Sequence, residues 1–175
     1  MPLELIIDGY NLIRQSDTLR PLDARKLEQG REALLERLAE YKKVRGHPIT
    51  VVFDGWGGDS PTSTGTRHKG ITVIYTGKGE LADEWIKRKV EKMQYGAVVT
   101  SDREVGLYAE RQGVSAIASE VFEHKMDAAL SGHGEGIDSD EEEWEEEGLI
   151  EAKKKGPARR LSKQEKRRQT ILKKL

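Results

Sequence analysis

The chain contains no cysteine. That absence excludes disulfide staples, thiolate metal sites and cysteine nucleophiles, and it suits a reducing compartment. Aromatic residues make up 6% and hydrophobic residues 35% of 175 positions, the latter equal to the charged fraction, so one modest core is the most this composition supports. Long apolar runs are missing as well. The N-terminal stretch Leu3 to Ile7 meets Asp8 too soon to be a signal peptide or a membrane span, so a soluble cytoplasmic protein with no membrane partner is expected. Histidine is scarce: His47, His68, His124 and His133 fall at no metal-ligand or nucleophile-base spacing, and only His68, in a polar loop, invites a test. No G-x-S-x-G element is present, which leaves serine hydrolase chemistry without support.

Charge is abundant but unevenly placed. The net charge is -1, yet Asp138 to Glu147 holds eight acids and no base, while Glu151 to Leu175 holds eleven bases and two acids. Setting both segments aside leaves 19 bases and 21 acids in residues 1–137, so the overall balance describes no part of the chain. Residues 131–150 read as a Gly-containing, acidic linker. Residues 151–175 read as a basic tail, disordered or helical on binding, with weak helical potential through Leu161, Ile171, Leu172 and Leu175. The folded domain is expected to close near residue 130. Deleting 138–175 is then expected to spare chemistry and to alter only salt-dependent affinity for a polyanion.

Short apolar runs at 3–7, 49–53, 71–75, 97–100 and 114–118 predict five strands. Between them, helical spacing appears over 23–44 (Leu27, Leu34, Leu35, Leu38, Tyr41), about 80–94, after Asp102, and over 120–130. Alternating strands and helices predict an α/β domain with a mainly parallel sheet, because parallel strands need crossover helices. Residues 55–70, rich in Gly, Ser and Thr, read as a long loop suited to a mobile lid.

In such a sheet ligands bind beyond the carboxyl ends of the strands. Asp8, Asp54 and Asp102 each follow a strand, and Asp83 lies in the first turns of the helix after the third. One aspartate at such a junction is ordinarily a turn former or helix cap. Recurrence at several strand ends points instead to clustered carboxylates, the donor set of a hard cation such as Mg²⁺ or Mn²⁺. Glu80, Asp83 and Glu84 can share a helical face, with Glu84 the solvated member. Asn11 is a turn or cap residue or else orients Asp8. Ser101 is positioned to cap the next helix, Arg103 to contact a phosphate, and Trp56 to anchor its loop. Lys78, in Thr76-Gly77-Lys78-Gly79, sits in a turn that lacks P-loop spacing.

Ile6-Ile7-Asp8-Gly9-Tyr10-Asn11-Leu12-Ile13, Val51-Val52-Phe53-Asp54-Gly55, Gly79-Glu80-Leu81-Ala82-Asp83 and Val99-Thr100-Ser101-Asp102-Arg103-Glu104, in that order over residues 3–130, together resemble the YacP-like branch of the NYN-domain proteins, bacterial relatives of PIN-domain nucleases. The resemblance implies a PIN-like three-layer α/β/α fold, a Mg²⁺ or Mn²⁺ site, and endoribonuclease activity, in some members on messenger RNA at the ribosome. By position, Asp8, Asp83 and Asp102 correspond to the family's acidic site, Asn11 belongs to its first motif, and Asp54 and Glu80 are further metal-ligand candidates. Single-stranded RNA is the expected substrate, on a base of which Trp56 would stack if it does not serve as the loop's anchor. A competing class is a catalytically weak RNA- or ribosome-binding adaptor with the same fold. A phosphatase using an aspartyl nucleophile is disfavoured, because Asp8-Gly9-Tyr10 lacks a second aspartate two residues on.

Overall fold

The structure is a computed structural model that describes residues 2–55, 60–132 and 161–175. The elements run β1 (Glu4–Asp8), α1 (Gly9–Gln15), α2 (Arg20–Asp23), α3 (Leu27–Arg45), β2 (Ile49–Phe53), β3 (Thr64–His68), β4 (Ile71–Tyr75), α4 (Ala82–Val90), β5 (Gly96–Val99), α5 (Arg103–Arg111), β6 (Ser115–Ile117), α6 (Ser119–Leu130) and α7 (Lys163–Lys174). Six strands form one sheet in the order β3-β4-β2-β1-β5-β6. Every pairing is parallel except β3 with β4.

Strand alternation divides the core. Leu5, Ile7, Val51, Phe53, Val73 and Val99 face a layer built from α1, α3 and α6. Ile6, Val52 and Val98 face the opposite way, toward Ala82, Ile86 and Val90 of α4 and Val105 and Ala109 of α5. The result is the expected three-layer α/β/α architecture. The strands are apolar on both faces because helices cover both. No described helix is long and apolar enough to cross a membrane.

Two segments differ from the sequence reading. Within the expected loop 55–70, residues 64–68 form β3, an antiparallel edge strand on β4. Its residues Thr64-Gly65-Thr66-Arg67 are exposed and His68 half-buried, so it carries no apolar alternation to read. It is pinned rather than lid-like: His68 Nε2 meets Glu36 at 2.9 Å and Lys69 Nζ donates to Glu36 at 2.5 Å. The expected basic tail also contributes to the core. Ile171 of α7 and Leu175, its C-cap, are buried among the residues of the first cluster, and Leu172 packs against it. The Tyr41 hydroxyl donates to the Leu175 carbonyl at 3.1 Å, and Arg167 Nη1 donates to the Gly113 carbonyl at 2.6 Å. The acidic run and residues 151–160 of the tail lie outside the described residues.

The turn from β1 into α1 depends on Gly9. A Cβ there would stand 2.3 Å from the Phe53 ring, which itself is buried and packed against Tyr10 and Tyr75. Gly9→Ala is therefore expected to cost about 1–3 kcal/mol through overpacking. Urea denaturation checks this; an unchanged midpoint would show that Phe53 yields freely.

Candidate functional site

β1 lies centrally in the sheet, with β2 and β4 added on one side and β5 and β6 on the other. The crevice where the strand order reverses opens at its carboxyl end. Asp8 closes β1 there, Asp54 follows β2, and Asp102 follows β5. The crossover helix α4 runs from β4 to β5 and packs over β1 and β2, which brings Asp83, in its first turn, to the same end of the sheet.

Each strand-end aspartate has a structural task that fixes its rotamer. Asp8 is the N-cap of α1: its Oδ1 accepts the Asn11 N–H at 3.3 Å, and its Oδ2 accepts the Thr100 hydroxyl at 3.4 Å. Asp102 is the N-cap of α5, its Oδ1 accepting the N–H groups of Glu104 at 2.8 Å and Val105 at 3.0 Å. Asp54 Oδ1 accepts the Ala82 N–H, the first residue of α4, at 2.6 Å. Capping and clustering are thus compatible. The helix N-termini of α1, α4 and α5 offset part of the carboxylate repulsion, while Asp54 and Asp102 each keep an oxygen outside the cap.

The electrostatics tie the four together. Asp8 is 8% exposed, and burial above all, with the charges of Asp83 and Asp54 adding to it, pushes its carboxyl up to about 7 against the opposing Asn11 and Thr100 hydrogen bonds. Asp83 is also raised, first by burial, then by Asp102 and Asp54, with Lys87 opposing. Lys87 bonds Glu104 and lies 5.7 Å from the Tyr108 ring centroid. Among the described residues no three acidic or histidine side chains close on a single point. The donors are all oxygen, the ligand type of hard cations such as Mg²⁺, which characteristically keeps several waters while using one or two carboxylates plus substrate phosphate.

Other expected residues have different surroundings. Glu80 precedes α4 instead of sharing its face, because the helix starts only at Ala82, and its carboxylate is engaged by the Ser63 hydroxyl at 2.6 Å and by Arg88. Glu84 is exposed and reaches back to the Leu81 N–H. Lys78 is exposed on its turn, its N–H donating to the Ser60 carbonyl at 2.9 Å. Arg103 is exposed at the start of α5. Trp56 lies outside the described residues.

Asn11 acts as a clamp: its Oδ1 accepts the Ser101 N–H at 2.8 Å and the Ser119 hydroxyl at 2.7 Å, joining the ends of β1, β5 and β6. A backbone N–H can only donate, so that atom is the oxygen. Ser101, expected as a cap for α5, instead accepts the Ser119 N–H at 3.0 Å at the start of α6. Sequence reasoning missed Thr100 and Ser119. Thr100 is 4% exposed, donates to Asp8 and accepts the Asp102 N–H at 3.1 Å, so one hydroxyl positions two of the aspartates. The signal available was a polar residue ending an apolar strand directly before Ser101-Asp102.

Comparison with known proteins agrees with this fold. The crystal structure of Rae1 (YacP) from Bacillus subtilis aligns with a TM-score of 0.62 at 28% identity, covering 76% of this chain and 78% of that one. The crystal structure of a mutant form of the same Rae1 protein aligns with a TM-score of 0.64 at 27% identity, covering 74% and 78%. In sequence, the protein named YacP from B. subtilis (strain 168) is 34% identical over 102 residues, which are 56% of this chain and 59% of that relative, so the sequence match spans under two thirds of its length. The model of the YacP-like NYN domain matches residues 5–173, from β1 into α7. The chain belongs to the YacP-like NYN-domain family, within a domain class that consists in general of nucleases.

Proposed function

We propose that this protein is a metal-dependent endoribonuclease that hydrolyses single-stranded RNA in the cytoplasm, with messenger RNA at the ribosome as the setting its family suggests. The observation that carries the reading is the buried, proton-hungry Asp8 within a group of four aspartates at one end of the sheet. Uncompensated acids facing a polyanion have no use in a pure binding surface; a cation between them and the phosphate gives them one. Asp8, Asp83 and Asp102 would hold Mg²⁺ or Mn²⁺, with Asp54 kept in place by α4. Such a cation supplies Lewis-acid stabilisation and makes water acidic enough to attack at neutral pH. The carboxylates orient the attacking water in line with the phosphodiester. Arg103 and Lys78, both exposed, take flanking phosphates. The P–O3' bond breaks, leaving a 5'-phosphate and a 3'-hydroxyl.

The test is incubation of end-labelled single-stranded RNA with Mn²⁺, with Mg²⁺, and with a chelator. Metal-dependent products bearing 5'-phosphates are expected. Chelator-resistant cleavage, or cyclic phosphate ends, would overturn the reading. The spacing of the carboxylates, no three of which meet at a point among the described residues, favours the adaptor as the second reading. RNA or ribosome binding without any cleavage would select it.

Thr100→Val removes the hydroxyl while keeping the shape. Asp8 then loses a donor that favours its ionised form, so its carboxyl should rise further. The acid limb of the pH–rate profile for cleavage is expected to move to higher pH. An unmoved limb would show that Asp8 ionisation does not limit the reaction.

A further inference from the structure

A groove of about 400 Å³ lies on the α4 side of the sheet, toward the amino ends of the strands and away from the aspartates. The register explains it. Arg67, Thr72 and Thr50 form one row across β3, β4 and β2, and Gly65, Ile74 and Val52 form the next, all on the face where α4 packs. Because α4 sits over β1 and β2, the strands β4 and β3 extend the sheet beyond it, and Thr50, Thr72 and Ile74 stay half-buried. Trp85 walls the groove from α4, Lys89 follows one turn on, and Lys42 closes the far end from α3. Three bases therefore meet one acid, Glu4, which pairs with Lys89 at 2.9 Å. Lys42 donates to the Gly70 carbonyl at 2.5 Å, but an ammonium has three donors. Arg67 is exposed and makes no ion pair among the described residues.

We infer that this groove is a second foothold for the RNA strand, where a base stacks on Trp85 and adjoining phosphates meet Arg67 and Lys89. The inference rests on the nuclease reading and extends its substrate path. Asp83 and Lys89 stand six residues, about 9 Å, apart along the axis of α4, and Trp85 lies about 200° round the helix from Asp83, so a strand leaving the aspartates crosses the first turn of α4 and then enters the groove. A stacking face beside a positive groove is the usual means of holding single strands without sequence preference. It also supplies what residues 1–137 lack in bulk, since 19 bases against 21 acids give no general attraction for a polyanion.

The experiment measures binding to the full chain with cleavage silenced by chelator, using labelled single-stranded RNA that reaches both ends of the sheet. Arg67→Glu, on an exposed edge strand, and Trp85→Ala are each expected to weaken binding about five- to tenfold, and Trp85→Phe to restore most of the stacking loss. Arg67→Glu should also flatten the dependence of log Kd on log salt by about 0.7. Metal-supported turnover of a dinucleotide, too short to reach the groove, should match the parent. Equal Kd values and slopes for parent and both variants would overturn the groove and leave the nuclease reading standing. A parent that binds no RNA would bring down both. Saturation by a free nucleoside monophosphate, with no gain from a longer strand, would make this a small-ligand site and likewise overturn the inference.

Discussion

Asp8→Asn is expected to abolish RNA cleavage, by roughly three orders of magnitude or about 4 kcal/mol of barrier, while making the metal-free protein more stable above neutral pH. The two effects have one cause. Folded Asp8 takes its proton near pH 7, whereas 3.8 is the ordinary value for an aspartate in the unfolded chain. Between those values the folded state binds more protons than the unfolded one, so stability falls as pH rises. The favourable contribution is complete below about pH 4 and gone once pH has passed 7. At pH 8 the ionised, buried carboxylate costs at most about 4 kcal/mol. Asparagine is nearly the same shape, still accepts the Asn11 N–H, and carries no charge to desolvate or to repel Asp54 and Asp83. Thermal melts of parent and variant without metal, from pH 5 to 9, should diverge by several degrees toward the alkaline end, given about 2–4 °C per kcal/mol for a chain of this size. Adding Mn²⁺ should raise the parent's melting temperature and leave the variant's nearly unchanged. A variant that cuts RNA near the parent rate would remove Asp8 from the reaction, and parallel melting curves across pH would show that its burial is compensated elsewhere.

The same carboxylate shows how far the sequence could be read. Asp8, Asp54 and Asp102 were legible because each ends an apolar run, and a parallel sheet sends its strand ends to one crevice. That Asp83 joins them follows from the crossover: a helix leaving β4 for β5 must pass over β2 and β1. Glu80 was misplaced by a shorter-range error. Counting three residues back from Asp83 assumes the helix extends that far, but Gly79 adopts a positive φ of 82° and Leu81 is extended, so the helix begins at Ala82. The clamp of Asn11, Ser101 and Ser119 was hidden for a different reason. It joins residues 90 and 108 positions apart, and no local pattern marks a hydroxyl as the partner of one particular amide. Strand β3 was invisible because an exposed edge strand buries almost nothing, so selection for a hydrophobic face leaves no alternation. Helix α7 was legible as weak helical potential through Ile171, Leu172 and Leu175, but six bases between Lys163 and Lys174 give no sign that Ile171 and Leu175 dock in the core.

That correction reverses the expectation for the C-terminal segment. Deleting residues 138–175 should now unfold the protein or leave it aggregating, instead of merely changing its salt response. The deletion takes Ile171 and Leu175, exposed to only 0% and 1%, out of a cluster that includes Tyr41, Phe122 and Met126. Loss of a buried aliphatic side chain costs about 2–5 kcal/mol, so the pair together approaches the roughly 5–15 kcal/mol that holds a typical domain folded. The deletion also strands polar groups. The Tyr41 hydroxyl loses the Leu175 carbonyl, and the Gly113 carbonyl, beside β6, loses the Arg167 guanidinium. Point substitutions separate packing from charge. Ile171→Ala is expected to lower stability by about 2–4 kcal/mol, whereas Lys163→Gln, at an exposed position in the first turn of α7, should lie within about 0.5 kcal/mol of the parent. Urea denaturation of these two variants, together with gel filtration of the truncated chain, checks the assignment. A truncated protein that elutes as a compact monomer with the parent's unfolding midpoint would show that α7 is an appendage and not a part of the core.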